Sequence, residues 1–327
     1  MPDRHTDTSA SLWVVILAGG SGRRLQPLTR ALVGRPLPKQ FCSFGRDRSL
    51  LQETVRRARP LASPERTVVV VNTPYLELAR DQIPELRLVE QPLDRGTAPG
   101  VLLPLLHVQR CAPDATVVLL PSDHDISNSQ LFLEGLARAR RAVEADPSLI
   151  VVGGAQPSRP SPDFGWIVPE RSVLPYRTPR LFAIRRFVEK PPVAEAERLL
   201  EAGALWSTFI LVARVSALLA AFRTRLPDVT AFFDRSAHLS RAARRSWLAR
   251  HYQELPAADF SADLLSHLDR PAVLAWPARL GWADLGTPER LLSWLEREGS
   301  LDAAAGDWAP AAADLPSEEA AGTVLRV

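Results

Sequence analysis

Lysine is nearly missing from this chain. Of its 40 basic residues only Lys39 and Lys190 are lysine, and the rest are arginine. Cysteine is scarce too: Cys42 and Cys111 stand alone, with no C-x-x-C pair and no metal-ligand spacing. That excludes a disulfide scaffold and a cysteine-held metal, and predicts a reduced, cytoplasmic setting. No apolar run approaches the roughly 20 residues of a membrane span, so no membrane partner is expected. The opening "MPDRHTDTSAS" is polar and lacks the apolar centre of a secretory leader. A concentrated basic face is absent as well. The 40 basic and 37 acidic residues leave a net charge of +3 with the basic residues scattered, which argues against a nucleic-acid partner.

What is present is ordinary for a globular protein: 46% hydrophobic and 24% charged residues over 327 positions. That length buries one large α/β domain or two smaller ones. Short apolar runs at Trp13–Leu17, Thr67–Val71, Thr116–Leu120 and Leu149–Gly154 read as strands covered on both faces. Helix-like segments alternate with them near Leu50–Arg59, Pro74–Gln82, Thr97–Arg110 and Leu131–Ala145, with Thr97 as an expected N-cap. The alternation predicts a doubly wound, Rossmann-like α/β fold with a mostly parallel sheet, whose ligands bind beyond the carboxyl ends of the strands. An inserted subregion of mixed strands and helices follows, with strands at "FGWIVPE", "LFAIRRFVEK", "LWSTFILVA" and "AVLAW". Helices are expected near Val215–Arg223, Arg241–Arg250, Ser261–Leu268 and Pro288–Arg297, the last begun by Thr287.

The expected organisation is a disordered N-terminus over 1–11 and one domain over 12–299. Its first part spans 12–154, and 155–299 holds the inserted subregion and the return strand. An acidic, weakly ordered tail over 300–327 completes it. Little chain follows the last motif, so no further catalytic domain is expected after it.

"VVILAGGSGRRLQPLTR" carries the most chemistry. A buried strand runs into Ala18, Gly19, Gly20, Ser21 and Gly22, then Arg23 and Arg24. Glycines at a strand end let backbone N–H groups approach an anion, and two arginines add forked donors for phosphate oxygens. Neither common nucleotide motif is met: Leu25 replaces the third glycine of a dinucleotide loop, and no lysine follows as in a Walker loop.

This segment, with Pro38-Lys39-Gln40-Phe41 after it, closely resembles the opening signature of the sugar-phosphate nucleotidylyltransferases, and most the mannose-1-phosphate guanylyltransferase branch. The resemblance spans about Trp13 to Gly299. It implies that a hexose 1-phosphate attacks the α-phosphate of GTP or another NTP, releasing pyrophosphate, with Mg²⁺ as cofactor. By resemblance, "EQPLDRGTAPG" is the base-binding loop, giving Gln91, Arg95 and Thr97, although Gly96 stands where asparagine is usual. "LLPSDHDIS" and "GWADLG" supply the metal carboxylates Asp123 and Asp284. Mg²⁺ takes one or two carboxylates and fills its shell with phosphate and water, so that sparse pair suits it. "DFGWIV", "VEKP" and "LWSTFI" resemble sugar-side motifs and give Gly165, Glu189, Lys190 and Ser207, the last in place of an asparagine. Arg24, Lys39, Asp123 and Asp284 are the implied catalytic set. His124 reads as a hydrogen-bond partner, and Trp166 and Trp206 as core aromatics.

The two retained lysines then make sense as compact charges where a fork would misplace the reacting phosphates. Other readings stay open at this level: a different base and sugar pair, a metal-dependent glycosyltransferase using Asp123-His124-Asp125, or a non-catalytic sensor of nucleotide sugars. The sequence leaves homo-oligomerisation open.

Overall fold

The structure, a computed structural model, describes residues 11–173 and 180–299. The expected acidic tail, and the N-terminal segment apart from Ser11, lie outside the described residues.

The first half runs β1 (Leu12–Ala18), α1 (Gln26–Val33), α2 (Leu50–Ala58), β2 (Thr67–Asn72), α3 (Leu76–Gln82), β3 (Arg87–Gln91), α4 (Thr97–Cys111), β4 (Thr116–Pro121), β5 (His124–Ile126), α5 (Ser129–Ala145) and β6 (Ile150–Ala155). The second half adds β7 (Gly165–Val173), β8 (Leu181–Glu189), α6 (Val193–Glu201), β9 (Leu205–Arg214), α7 (Val215–Arg225), α8 (Pro227–Asp234), α9 (Arg241–His251), β10 (Ala272–Trp276), β11 (Trp282–Asp284) and α10 (Pro288–Arg297).

Nine strands form one sheet in the order β3-β2-β1-β4-β9-β6-β10-β8-β7, while β5 and β11 pair separately. The β3-β2-β1-β4 half is parallel. From there the sheet is mixed: β9 runs antiparallel between β4 and β6, and β8 and β7 run antiparallel beyond β10. From β1 the chain builds outward to β3, then crosses back through α4 to β4 on the other side. That reversal opens a crevice beyond the ends of β1 and β4, where ligands of open α/β sheets bind.

The continuous apolar runs follow from burial on both faces. In β1, Trp13 and Val15 enter one core with α4 and α7, while Val14 and Ile16 enter the opposite core with α2 and α5. Each such side chain contributes roughly 1.5–3 kcal/mol of burial, enough to fix the strand's register. A third cluster packs Leu28, Phe44, Leu50 and Trp294 between α1, α2 and α10. A fourth gathers Phe164, Trp166 and Trp206 under α6.

Helix starts are chemically marked. Ser49 and Gln52 close a capping box on α2, and Thr287 Oγ1 accepts the Arg290 N–H at the head of α10. Thr97 is not the cap of α4: Gly96 holds that position at φ +91°, and Thr97 is the first helical residue. Residues 261–268 form short irregular helical turns rather than one helix.

Candidate active site

Three stretches far apart in sequence meet at one charge cluster. The Lys39 ammonium lies 3.3 Å from Asp123 Oδ2 and 3.4 Å from Asp284 Oδ1, and the residue is only 6% exposed. The β5–β11 ribbon makes the meeting possible, since Asp284 pairs in register with His124, the neighbour of Asp123. Burial alone would raise the Asp123 carboxyl. The Lys39 ammonium, with His124 next, outweighs it and holds the group below its ordinary value. Burial dominates at His124 and lowers its imidazole despite both carboxylates. The Trp282 indole N–H donates to His124 Nδ1 at 3.3 Å, so the neutral ring carries its proton on Nε2, 3.7 Å from Asp123 Oδ1.

The glycine loop stands beside this cluster. Its carbonyls are tied back: Gln40 Nε2 donates to Ala18 O and Gly20 O at 3.1 and 2.7 Å, Asn72 Nδ2 to Gly19 O at 2.5 Å, and Gln26 Nε2 to Ser21 O at 3.2 Å. Among the described residues no acceptor takes the N–H groups of Gly20, Ser21 or Gly22. They form a cradle open to an anion. Gly22 sits at φ +61°, where a Cβ would lie 3.1 Å from Pro38 Cα. Arg23 and Arg24 are exposed and make no ion pair among the described residues.

Gly19, Gly20, Gln91, Thr97 and Asp123 line one cleft of about 440 Å³. Thr97 is a clamp there: its hydroxyl donates to Asp259 Oδ2 at 3.1 Å and accepts from the Phe260 N–H at 2.7 Å. Arg95 stays outside that lining, and its buried Nε finds no partner among the described residues. Gly96 has a local reason. A Cβ there would fall 2.3 Å from Ala258 O, which accepts the Ala98 N–H at 3.0 Å.

The residues expected on the sugar side form a second group. Gly165 pairs in register with Glu189, and a Cβ at Gly165 would meet Glu189 Oε2 at 2.7 Å. Burial raises the Glu189 carboxyl, although Lys190 Nζ lies 3.1 Å from Glu189 Oε1 and opposes the shift. Lys190 itself adopts φ +45° and its side chain is 56% exposed. Ser207 Oγ is buried without a partner among the described residues, a donor awaiting an acceptor. Trp166 is fully buried with its N–H on Ser161 O at 2.9 Å, and Trp206 lies 4.7 Å from Phe164 between ring centroids, so both are core aromatics.

Sequence reasoning missed several participants. Arg290 reaches Asp163 Oδ2 at 3.4 Å and Asp284 Oδ2 at 3.9 Å, with its guanidinium 4.7 Å over Phe164. It thereby ties Asp284 to the loop that carries Asp163. Asp94, Phe209 and Asp259 line the cleft, with Phe209 at φ +58° beside a register shift of β9. Nothing in "TPER" or "STFIL" signals these placements.

Asp125 is structural. It accepts the Trp294 indole N–H at 3.1 Å and faces Arg57 and Arg46 at 3.7 and 3.9 Å. The D-x-D reading therefore loses its second ligand. A cation fits between Asp123 and Asp284, because an ammonium already occupies that place. No group of three or more His, Cys, Asp or Glu side chains capable of holding a metal occurs among the described residues. A two-carboxylate site suits Mg²⁺, which completes its shell from phosphates and water.

A loop of free backbone donors at the switch point of a doubly wound sheet, facing a carboxylate pair, is an arrangement suited to phosphorylated ligands. The chain belongs to the nucleotidyl transferase family, whose model matches residues 13–298. It is 30% identical over 309 residues to the xanthan biosynthesis protein XanB of Xanthomonas campestris, covering 90% of this chain and 61% of the relative. It is 32% identical over 224 residues to a mannose-1-phosphate guanylyltransferase of Klebsiella pneumoniae, covering 66% of this chain and 45% of that protein. The chain thus spans less than two thirds of these relatives' length. A solved structure described as mannose-1-phosphate geranyltransferase from Thermus thermophilus superposes with a TM-score of 0.73 at 28% identity, over 84% of this chain and 76% of that one. No described helix is long and apolar enough to cross a membrane.

Proposed function

We propose that the chain transfers a guanylyl group from GTP to mannose 1-phosphate, yielding GDP-mannose and pyrophosphate. The observation that carries this reading is Lys39 seated between Asp123 and Asp284 beside a loop of free backbone donors. The N–H groups of Gly20, Ser21 and Gly22, with Arg23 and Arg24, hold the triphosphate. Gln91 and Thr97 border the nucleoside. Glu189 accepts from sugar hydroxyls, Lys190 holds the sugar phosphate, and Gly165 and Ser207 shape that end of the site.

An ionised oxygen of the sugar 1-phosphate forms the new bond to the α-phosphorus as the bond to the leaving pyrophosphate breaks. The electron pair departs with pyrophosphate, and no general base is required. Positioning and charge neutralisation supply the rate. Mg²⁺, when bound by Asp123 and Asp284, neutralises phosphate charge. Lys39 neutralises the same carboxylates from the protein side.

The test is a matrix of four NTPs against mannose, glucose and other hexose 1-phosphates, followed by pyrophosphate release. Turnover is expected to be highest with GTP and mannose 1-phosphate. A different best pair reassigns base or sugar. Silence across the matrix, with GDP-mannose still binding, replaces the enzyme by a sensor.

A further inference from the structure

We propose that a cavity behind β3 is a second ligand site, built for a small molecule with an apolar ring body and at least two phosphate charges, such as a nucleoside diphosphate. β3 is the edge strand of the large sheet, and α9 faces it across a cleft of about 420 Å³. That volume is of ligand size.

Val89, Leu103 and Leu248 give the cleft an apolar floor, while six arginines stand around it against one carboxylate, Glu90. Such a local excess is large in a chain whose net charge is +3. Three of the six arginines are engaged internally. Arg80 pairs with Glu77, Arg245 pairs with Glu90 at 2.8 Å, and Arg244 donates to the carbonyls of Ser236, Ala237 and Leu239. Arg87, Arg110 and Arg241 have no carboxylate partner among the described residues.

The field they make is visible at His107. Burial first, then these same three arginines, push its imidazole down to about 4. Unpaired guanidiniums over an apolar floor match forked phosphate recognition beneath a stacked ring. The charge is gathered into one concavity rather than spread along a face, which favours a small ligand over a polymer.

The cavity also adjoins the nucleotide cleft. Glu90 lines the cavity and Gln91, the next residue, lines the cleft, while Thr73 Oγ1 donates to Glu90 Oε1 at 3.0 Å. Likewise α4 begins at the cleft with Thr97 and Gly100 and reaches the cavity with His107 and Arg110. A ligand that draws Arg245 from Glu90 moves the strand end carrying Gln91, so the two sites are coupled, with reciprocal effects on affinity.

Cys111 reports on the cavity. Its exposed Sγ lies 3.7 Å from His107 Nε2, whereas Cys42 is buried with its thiol pushed up to about 12 and stays inert. The full chain is alkylated with iodoacetamide alone and with ADP, GDP or inorganic pyrophosphate. Cys111 labelling is expected to slow about ten-fold at a nucleotide concentration ten times its Kd, by simple mass action. The R87A/R110A/R241A variant is expected to lose that protection and keep basal turnover. Occupancy of the cavity is expected to shift the affinity of a fluorescent GTP analogue in the wild type and not in the variant.

Absence of protection by all three probes overturns the site. Equal protection by pyrophosphate overturns the ring requirement, and protection without a shift in nucleotide affinity overturns the coupling. The labelling arm reads the cavity alone, so a chain inactive in every transferase assay would still pass or fail it.

Discussion

Lys39 and Lys190 share a residue type and little else. Lys39 is wedged between two carboxylates, while Lys190 is largely exposed and leans on Glu189. A guanidinium cannot occupy the first place without displacing a carboxylate, so K39R is expected to lose at least about 100-fold in kcat/KM. K190R keeps a cation near the sugar phosphate but spreads its charge, so its KM for the sugar phosphate is expected to rise about ten-fold. Pyrophosphate release measures both, and rates within two-fold of wild type in either variant refute that lysine's role.

His107 gives a pH signature at the same scale. Its ring is lowered to about 4 from 6.5 in the folded chain, so between those values the unfolded chain binds the extra proton. Stability is therefore full above about pH 6.5 and falls as pH drops toward 4, by roughly 1–3 kcal/mol after discounting for a cavity open to water. H107Q is expected to flatten that slope in urea melts at pH 7, 5.5 and 4.5, and an unchanged slope contradicts the assignment. Lys39 stood out in the sequence because lysine is nearly missing from it, and Asp123 because it sits in a compact motif just past a buried strand. Arg290 did not, because a helical arginine's text carries no record of which distant carboxylate it will face.

Elements of normal length were legible where their periodicity was strong. β1, β2 and β4 are apolar through their centres because both faces are covered, and α2 and α10 carry capping residues at their heads. The β5–β11 ribbon was not legible. Its strands are three residues each, too short for any period, and their pairing depends on tertiary contact. β3 was hidden for another reason: "RLVEQ" is a half-exposed edge whose polar positions face two clefts.

The same scale explains Gly96, where resemblance led to an expected asparagine. At φ +91° with Ala258 O in the way, any side chain forces apart the backbone bonds joining the head of α4 to residues 258–260. G96N is expected to lower Tm by roughly 2–6 °C and to weaken nucleotide binding, by calorimetry and titration. An asparagine tolerated without loss would show that this loop is free to repack.

For the molecule as a whole, the Lys39 cluster is a clasp as well as the proposed catalytic centre. It joins residues contributed by the short turn between α1 and α2, by the end of β4, and by the return strand β11. Because the chain supplies its own cation there, the unliganded fold has no need of a metal. EDTA is expected to stop turnover while moving the wild-type Tm by less than about 1 °C. Removing the ammonium reverses that independence. K39M leaves two carboxylates facing each other at a cost of up to about 3 kcal/mol, the lower end for a broken buried pair, because 35% of the Asp123 side chain remains in water. Millimolar Mg²⁺ is then expected to recover part of the lost Tm in K39M, since a divalent ion takes the ammonium's place and binds only the folded state. Circular dichroism melts with and without Mg²⁺ decide the matter. A wild-type Tm that collapses in EDTA, or a K39M Tm indifferent to Mg²⁺, would mean that Asp123 and Asp284 do not share one cation.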